Sequence, residues 1–456
     1  MRLLQILTFL GLLVGLGLSL SSCSQRSNET SMSLEGRWEG VNVHRAAQMK
    51  LVLDLQAGAN GLRGRLFQPD YPLRVGEIAE VNYNPPAISF QIEGTQLRFE
   101  GTRDGESIRG TSRDGEFTAT FELKRSMTQT PPQSFREQEV SFQSNDARIG
   151  GTLLLPVAEG QYPGVVLIHG SGPGPRAALR PMAETFSRNG IAALIYDKRD
   201  VGNVRGTELV ESENLIADAL AAVKFLGSRS EINARQLGVW GVSQGGGIAA
   251  EVAARSREVA FMVGVSSGGV TYAEMIVYQI TNRLRAQNFS QAEIEEATAA
   301  IEQLHEFVRT RKDPEALQAT LDRAWKKRWA PIALPTKAVP TDKELSTWIQ
   351  WRRLDTSPIE PWQKLTVPVL AIWGEKDLSV PVNTSVARIT AALARAQNRD
   401  ATIKIFPGAD HGLTLPMGIR SDTEGAWDWP RIAPGYLELT MDWVKSRATA
   451  ANSQAM

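Results

Sequence analysis

The sequence predicts an α/β fold in which helices cover both faces of a mostly parallel sheet, with a helical insertion and a small antiparallel β domain in front. Three observations carry this. After about residue 138, short apolar runs alternate with helical stretches, the pattern of a parallel sheet with helical crossovers. Before residue 125, period-2 alternation is broken by tight-turn dipeptides, which indicates antiparallel hairpins. From about 271 to 362 no strand is convincing, and a capping box opens a helix there.

At 456 residues the chain exceeds a typical single domain, so more than one is expected. Its 42% hydrophobic and 22% charged residues exclude a disordered, collagen-like or coiled-coil chain. Lys+Arg and Asp+Glu both total 50, and no basic stripe is visible, which removes the electrostatic basis for binding nucleic acid. A neutral or weakly charged substrate fits this balance.

Arg2 is the only charged residue before Cys23, and Leu3 to Leu20 is almost wholly apolar. Residues 1–22 therefore read as a secretory signal peptide. Leu20-Ser21-Ser22-Cys23 resembles the lipobox of bacterial lipoproteins, in which cleavage frees the cysteine for acylation. That resemblance implies a cell-envelope protein held to a lipid bilayer through acylated Cys23. An uncleaved membrane anchor and plain secretion are the alternatives, since the 18 residues from Leu3 to Leu20 are just long enough to span. Cys23 is the only cysteine, so neither an internal disulfide nor a cysteine-based metal site can form.

A polar tether over 23–33 precedes the β domain, expected over 34–125. Met49, Leu51, Leu53 and Leu55 alternate with polar or outward positions, as do Ile88, Phe90 and Ile92, and Phe117, Ala119, Phe121 and Leu123. Asn60-Gly61, Asp104-Gly105 and Asp114-Gly115 are hairpin dipeptides. The stretches 101–106 and 110–116 read as two hairpin tips in a small sandwich or barrel. This domain holds no catalytic cluster, and its His44 reads as structural.

Residues 126–137, with Pro131-Pro132, read as a linker. The α/β domain is expected over 138–450. Val140–Ser144 and Arg148–Leu155 begin it as a hairpin, and Gly164–Ile168, Ile191–Tyr196, Leu237–Gly241, Phe261–Val265, Val367–Trp373 and Ile403–Phe406 supply further strands. Asn214–Leu226 and Gly245–Arg255 are helices between them. The insertion, about 271–362, contains a helix from the Ser290–Glu293 capping box to about Arg309 and a second one opening at Asp313-Pro314. An insertion between two sheet strands is the usual place for a lid.

Gly241-Val242-Ser243-Gln244-Gly245 matches G-x-S-x-G between a strand and a helix. That turn strains the serine backbone, exposes its hydroxyl and needs glycines on both sides to relieve crowding. A serine hydroxyl is a weak nucleophile until a base takes its proton. Of four histidines, His411 follows the last strand and lies on the expected edge of the sheet. His305 on the insertion helix reads as packed or solvated, and His169 as a brace for its own loop. A carboxylate must orient the imidazole, and Asp377 follows the strand Val367–Trp373 at the same edge. Asp410 and Glu375 are its rivals, but adjacent side chains such as Asp410 and His411 seldom meet head-on. His169-Gly170-Ser171-Gly172-Pro173-Gly174 can turn backbone N–H groups toward a developing oxyanion, so Ser171 or Gly172 together with Gln244 are the expected donors. A phosphate-binding loop is excluded, because no Gly-Lys-Ser/Thr follows and Pro173 removes one donor.

Residues 195–199, 237–247, 368–377 and 408–411 resemble the corresponding segments of exported bacterial α/β-hydrolases, esterase-like serine enzymes that often carry a small β domain in front. The likeness runs from about Val140 to Arg447. It implies the α/β-hydrolase fold, in which the triad occurs in the chain order Ser243, Asp377, His411, and it implies structural roles for Asp197 and Arg199. Lys198-Arg199-Asp200-Val201-Gly202 stands where relatives often have Arg-Gly-x-Gly.

The activity expected is hydrolysis of a small-molecule carboxylic ester through an acyl-enzyme on Ser243, with no metal or organic cofactor required. A peptidase or aminopeptidase of prolyl-oligopeptidase type, a thioesterase and an acyl transferase use the same machinery. The β domain is too short for the propeller that such peptidases generally carry. Trp325, Trp329, Trp348 and Trp351 of the insertion can equally line a pocket or pack. A non-enzymatic alternative is an envelope lipoprotein that only binds, against which the complete Ser–Asp–His set speaks.

Overall fold

The computed structural model describes residues 33–44, 47–58, 61–69, 75–78, 80–93, 95–115, 117–127, 135–172, 174–199, 212–347, 354–415, 420–421, 425–426 and 431–453. The expected signal peptide, Cys23 and nearly all of the tether lie outside them, as do Asn60, Pro131-Pro132, Pro173, Asp200-Val201-Gly202, Trp348 and Trp351. Glu35–Met456 forms one compact unit.

Nine strands come first: β1 (Gly36–His44), β2 (Ala47–Gly58), β3 (Gly61–Phe67), β4 (Val75–Ile78), β5 (Val81–Asn84), β6 (Ala87–Gln91), β7 (Arg98–Asp104), β8 (Ser107–Asp114) and β9 (Phe117–Arg125). They form one antiparallel sheet in the order β4-β3-β2-β1-β9-β8-β7-β6-β5. Its edge strands β4 and β5 are consecutive in sequence, and the sheet curls until β5 lies against β3. Across the seam the Glu93 N–H donates to the Glu77 carbonyl at 2.9 Å. Of the two expected forms, sandwich or barrel, this is the rolled one. Leu51, Leu53, Leu55, Ile88, Phe90, Phe121 and Leu123 fill its interior, as their period-2 spacing requires. The hairpin tips are narrower than expected. Gly105 and Gly115 take the left-handed turn positions (φ 55° and 61°), whereas Gly101 and Gly110 pair opposite each other within the ladder. Strand backbones approach so closely there that a Cβ on Gly110 would sit 2.0 Å from the Glu100 carbonyl oxygen.

A second sheet has eight strands: β10 (Phe135–Ser144), β11 (Ala147–Pro156), β12 (Tyr162–Ile168), β13 (Ala192–Tyr196), β14 (Ile232–Val242), β15 (Val259–Val265), β16 (Val369–Gly374) and β17 (Ala401–Phe406). Their order is β10-β11-β13-β12-β14-β15-β16-β17; β10, β11 and β13 pair antiparallel, and every pairing from β13 onward is parallel. β10 starts within the stretch read as linker, 126–137. It is an edge strand whose buried Phe135 pairs with Pro156, while Arg136 and Glu137 face outward and hide the strand pattern.

Helices α1 (Arg180–Arg188), α2 (Ser212–Gly227) and α3 (Gln244–Arg255) fall between strands. The insertion between β15 and β16 supplies α4 (Tyr272–Ala286), α5 (Gln291–Thr310), α6 (Pro314–Ala324), α7 (Ala330–Ala333) and α8 (Asp342–Thr347); α9 (Val382–Arg395) and α10 (Tyr436–Ser453) follow among the described residues. One face of the sheet packs α2, α3 and α9, the other α1 and α10. β16 shows why its sequence is continuously apolar: Val369, Ala371 and Trp373 enter one core, Leu370 and Ile372 the other.

The insertion has a core of its own, including Leu284, Ile301, Leu304 and Leu321. The expected capping box at Ser290 and Glu293 opens α5, and an equivalent one at Thr271 and Glu274 opens α4. Trp329 is buried in this core, and the Trp325 indole N–H donates to the Thr336 carbonyl at 2.7 Å, so these two pack. His305 is buried there too, and burial pushes its pKa down to about 4.

Charge joins the curled sheet to α1. The Glu184 carboxylate is fully buried and accepts from Arg65 of β3 and from Arg180 and Arg188 of its own helix, while Arg180 also meets Glu77 of β4 and Glu137 of β10. Removing one member of such a cluster leaves like charges facing one another without compensation. Glu184→Ala is expected to lower stability by about 3 kcal/mol, measured as a drop in the urea midpoint at unchanged slope.

Candidate active site

Ser243 lies between the end of β14 and the first residue of α3, with φ 55° and ψ −119°. For a residue with a Cβ this backbone costs on the order of 1–3 kcal/mol, and such outliers concentrate at functional sites. The surroundings hold it: its N–H donates to the Val265 carbonyl at 2.8 Å, and its carbonyl accepts from Gly246 at 3.0 Å. Glycines are needed here because of backbone crowding. A Cβ on Gly241 would lie 2.1 Å from the Gly245 carbonyl oxygen, and one on Gly245 would lie 2.3 Å from the carbonyl oxygen of Ile168. α3 thus starts directly against the end of β12.

The loop after β12 runs beside the serine, since a Cβ on Gly170 would lie 3.5 Å from that of Ser243. Ser171 and Gly172 continue this loop, and Gln244 opens α3. His169 is buried, and its Nε2–H donates to the Tyr196 carbonyl at 2.8 Å. Burial pushes its pKa down to about 4, so the ring is neutral and braces the loop, as its position suggested.

Asp377 and His411 meet. Asp377 follows β16, and its Oδ2 accepts from His411 Nδ1 at 2.6 Å. Its Oδ1 accepts from the N–H groups of Ser379 (2.7 Å) and Val380 (2.8 Å), and the carboxylate is 0% exposed. The imidazole is 31% exposed. With Nδ1–H committed to Asp377, the other ring nitrogen is the one left to take a proton. Asp410 does not compete, because its Oδ1 closes its own turn by accepting from Gly412 and Thr414, both at 2.9 Å. Glu375 is exposed and accepts from the Gly408 N–H at 2.9 Å.

No hydrogen bond joins the Ser243 hydroxyl to His411 among the described residues. What links the two is the end of β15: the Val265 carbonyl holds Ser243, and the hydroxyl of the next residue, Ser266, donates to the His411 carbonyl at 2.8 Å. Sequence reasoning missed Ser266, although its place just past an apolar strand at this edge was legible. It also missed Lys198, whose buried ammonium donates to the carbonyls of Gly170 (2.9 Å) and Gly172 (3.1 Å) and to Gln244 Oε1 (3.0 Å). Helix α4 was a third omission. Its Tyr278 hydroxyl donates to the Asp377 carbonyl at 2.7 Å, Gln279 to that of Ser379 at 3.0 Å and Asn282 to that of Leu378 at 3.2 Å. No local pattern distinguishes those three residues in the sequence. Asp197 and Arg199 are structural: Asp197 accepts from the Arg176 N–H at 2.9 Å, and Arg199 grips buried Asp218 through two nitrogens, at 2.6 and 3.1 Å.

A strained serine at the crest between a parallel strand and a helix is where one class of hydrolytic enzymes carries its nucleophile. The profile of the Alpha/beta hydrolase family matches residues 165–421, more than half of the chain, and the chain belongs to that family of enzymes. Among individual relatives, it is similar to esterase EstD of Thermotoga maritima, 32% identical over 182 residues, which are 37% of this chain and 42% of that protein. It is also similar to the quorum-quenching protein AidA of Acinetobacter baumannii, 32% identical over 127 residues, 27% of this chain and 42% of the relative. A third, thiohydrolase aneE of Aspergillus aculeatus, is 33% identical over 130 residues, 28% of this chain and 40% of the relative. The chain spans less than half the length of each of these curated relatives.

The two neighbouring carboxylates are separable by substitution. If Asp377 orients the imidazole, Asp377→Asn is expected to lower kcat by about 10³- to 10⁴-fold. Asp410→Asn, which keeps an oxygen for the Gly412 and Thr414 N–H groups, is expected to cost less than about tenfold. Steady-state kinetics on one chromogenic ester compares them.

Proposed function

We propose that this protein is a serine hydrolase that cleaves small-molecule carboxylic esters through an acyl-enzyme on Ser243. The observation that supports it most is the buried Asp377 carboxylate on His411 Nδ1 at the sheet edge that also carries a strained serine. In this reading His411 takes the Ser243 proton as the hydroxyl attacks the acyl carbonyl, then returns it to the departing alcohol. Asp377 keeps the imidazole in the required tautomer and offsets its charge. The backbone N–H groups of Ser171 or Gly172, with that of Gln244, hold the developing oxyanion, each worth roughly 2.7–4 kcal/mol. Water then releases the acyl group by the same route, and neither metal nor organic cofactor takes part.

The esterase among the relatives favours this bond type. A thioester is the second reading, favoured by the relative named a thiohydrolase. The helices of 271–362 act as a lid in this proposal, and residues 34–125 as an accessory β domain. The chain is exported and held at the cell envelope through acylated Cys23.

A fluorophosphonate probe is expected to label the wild type and not Ser243→Ala; equal labelling of both would remove Ser243 from its role. A panel of p-nitrophenyl esters beside p-nitrophenyl thioesters and aminoacyl anilides sets the bond type. Ester turnover exceeding anilide turnover by at least about 10²-fold is the expected result, consistent with discrimination by transition-state binding.

A further inference from the structure

Lys198 bonds to both halves of the expected oxyanion site. Its ammonium has three N–H groups and meets three oxygens: Gly170 O, Gly172 O and Gln244 Oε1, at 2.9, 3.1 and 3.0 Å. Its own backbone N–H donates to the Gly174 carbonyl at 3.0 Å. The loop wraps the side chain so tightly that a Cβ on Gly174 would sit 2.9 Å from Lys198 Cβ. One lysine therefore grips the loop after β12 at three carbonyls and reaches across to the residue that follows Ser243.

The peptide geometry gives this grip a direction. In a trans peptide the carbonyl and the next N–H point opposite ways. With the Gly170 carbonyl drawn to the ammonium, the Ser171 N–H is held pointing away from it. The Gly172 carbonyl precedes Pro173, which has no N–H, so its bond to Lys198 anchors the loop without orienting a donor. The bond to the Gln244 side chain restrains the other expected donor residue.

We propose that Lys198 is a positioning residue that sets the oxyanion site of this hydrolase, aligning the Ser171 N–H and tying its loop to Gln244. The inference rests on the serine-hydrolase reading above. It also gives the reaction an alkaline limit. A neutral amine keeps only two N–H groups, so deprotonation turns a lone pair toward one of the three oxygens. Burial pushes the Lys198 pKa down to about 8. The charged and titratable groups around it are otherwise engaged: His169 is neutral on the Tyr196 carbonyl, Asp197 accepts from the Arg176 N–H, and Arg199 is paired with Asp218 and Asp146. Asp200 lies outside the described residues.

The test measures kcat and KM on a p-nitrophenyl ester from about pH 6.5 to 9.5, beside fluorophosphonate labelling, for wild type, Lys198→Met and Lys198→Arg, with thermal unfolding of each. In wild type kcat is expected to fall reversibly above about pH 8. Lys198→Met is expected to lose about 100-fold in kcat with KM changed less than about threefold, and to lose the alkaline limb. Lys198→Arg, always charged, is expected to recover part of the rate without an alkaline limb. A folded Lys198→Met with kcat within about threefold of wild type and the same limb overturns the proposal and leaves the hydrolase reading standing. Wild type that neither labels nor turns over overturns both. If Lys198→Met does not fold, the wild-type profile decides, and a kcat flat to about pH 9.5 overturns the proposal.

Discussion

The hydrogen bond between the Asp377 carboxylate and His411 Nδ1 joins two loops that are distant in sequence, and backbone and side-chain donors hold both of its ends. Taking a carboxylate fully out of water is costly unless its lone pairs are satisfied. Asp377 meets that condition with two backbone N–H groups on one oxygen and the imidazole on the other. The backbone at each end is held as well: Tyr278 of the insertion donates to the Asp377 carbonyl, and Ser266 at the end of β15 donates to that of His411. A pair so fixed has little freedom left to lose, the property that preorganised polar sites share.

The insertion is accordingly not an independent flap along its whole length. Its first helix is tied to the Asp377 loop by three side chains and to α9 by a two-nitrogen grip of Arg388 on Glu274, at 2.8 Å for each bond. A displacement of α4 would disturb the backbone that carries Asp377, because three of its side chains donate to carbonyls there. α4 to α8 share a core distinct from the main sheet's two, while Trp362 at the end of the insertion joins one of those.

Two buried charges illustrate how the same physics serves different ends. Glu184 is surrounded by three arginines and joins the curled sheet to α1, a structural use of paired charge. Lys198 is surrounded by neutral oxygens, which solvate an ammonium less well than carboxylates do, so burial lowers its pKa. The first arrangement surrounds a carboxylate with cations, whereas the second leaves a buried ammonium whose pKa falls to about 8.

The sequence by itself determined what local periodicity and spacing encode. Alternating apolar residues marked the curled sheet, continuous apolar runs marked the parallel strands, and G-x-S-x-G between a strand and a helix marked Ser243. Chain order and strand position also singled out Asp377 and His411, because the parallel strands bring their following loops to one edge. Only tertiary structure shows that Asp377 and not Asp410 meets His411, since that depended on which carboxylate's lone pairs were already taken by its own turn. The start of β10 inside the expected linker was hidden for a related reason: the consecutive exposed residues Arg136 and Glu137 break the apolar alternation there, although the hairpin of β10 with β11 was legible further along. Lys198, Ser266 and Tyr278 act through backbone carbonyls that every residue carries, so no sequence pattern names their partners. Folding alone brings those oxygens within reach.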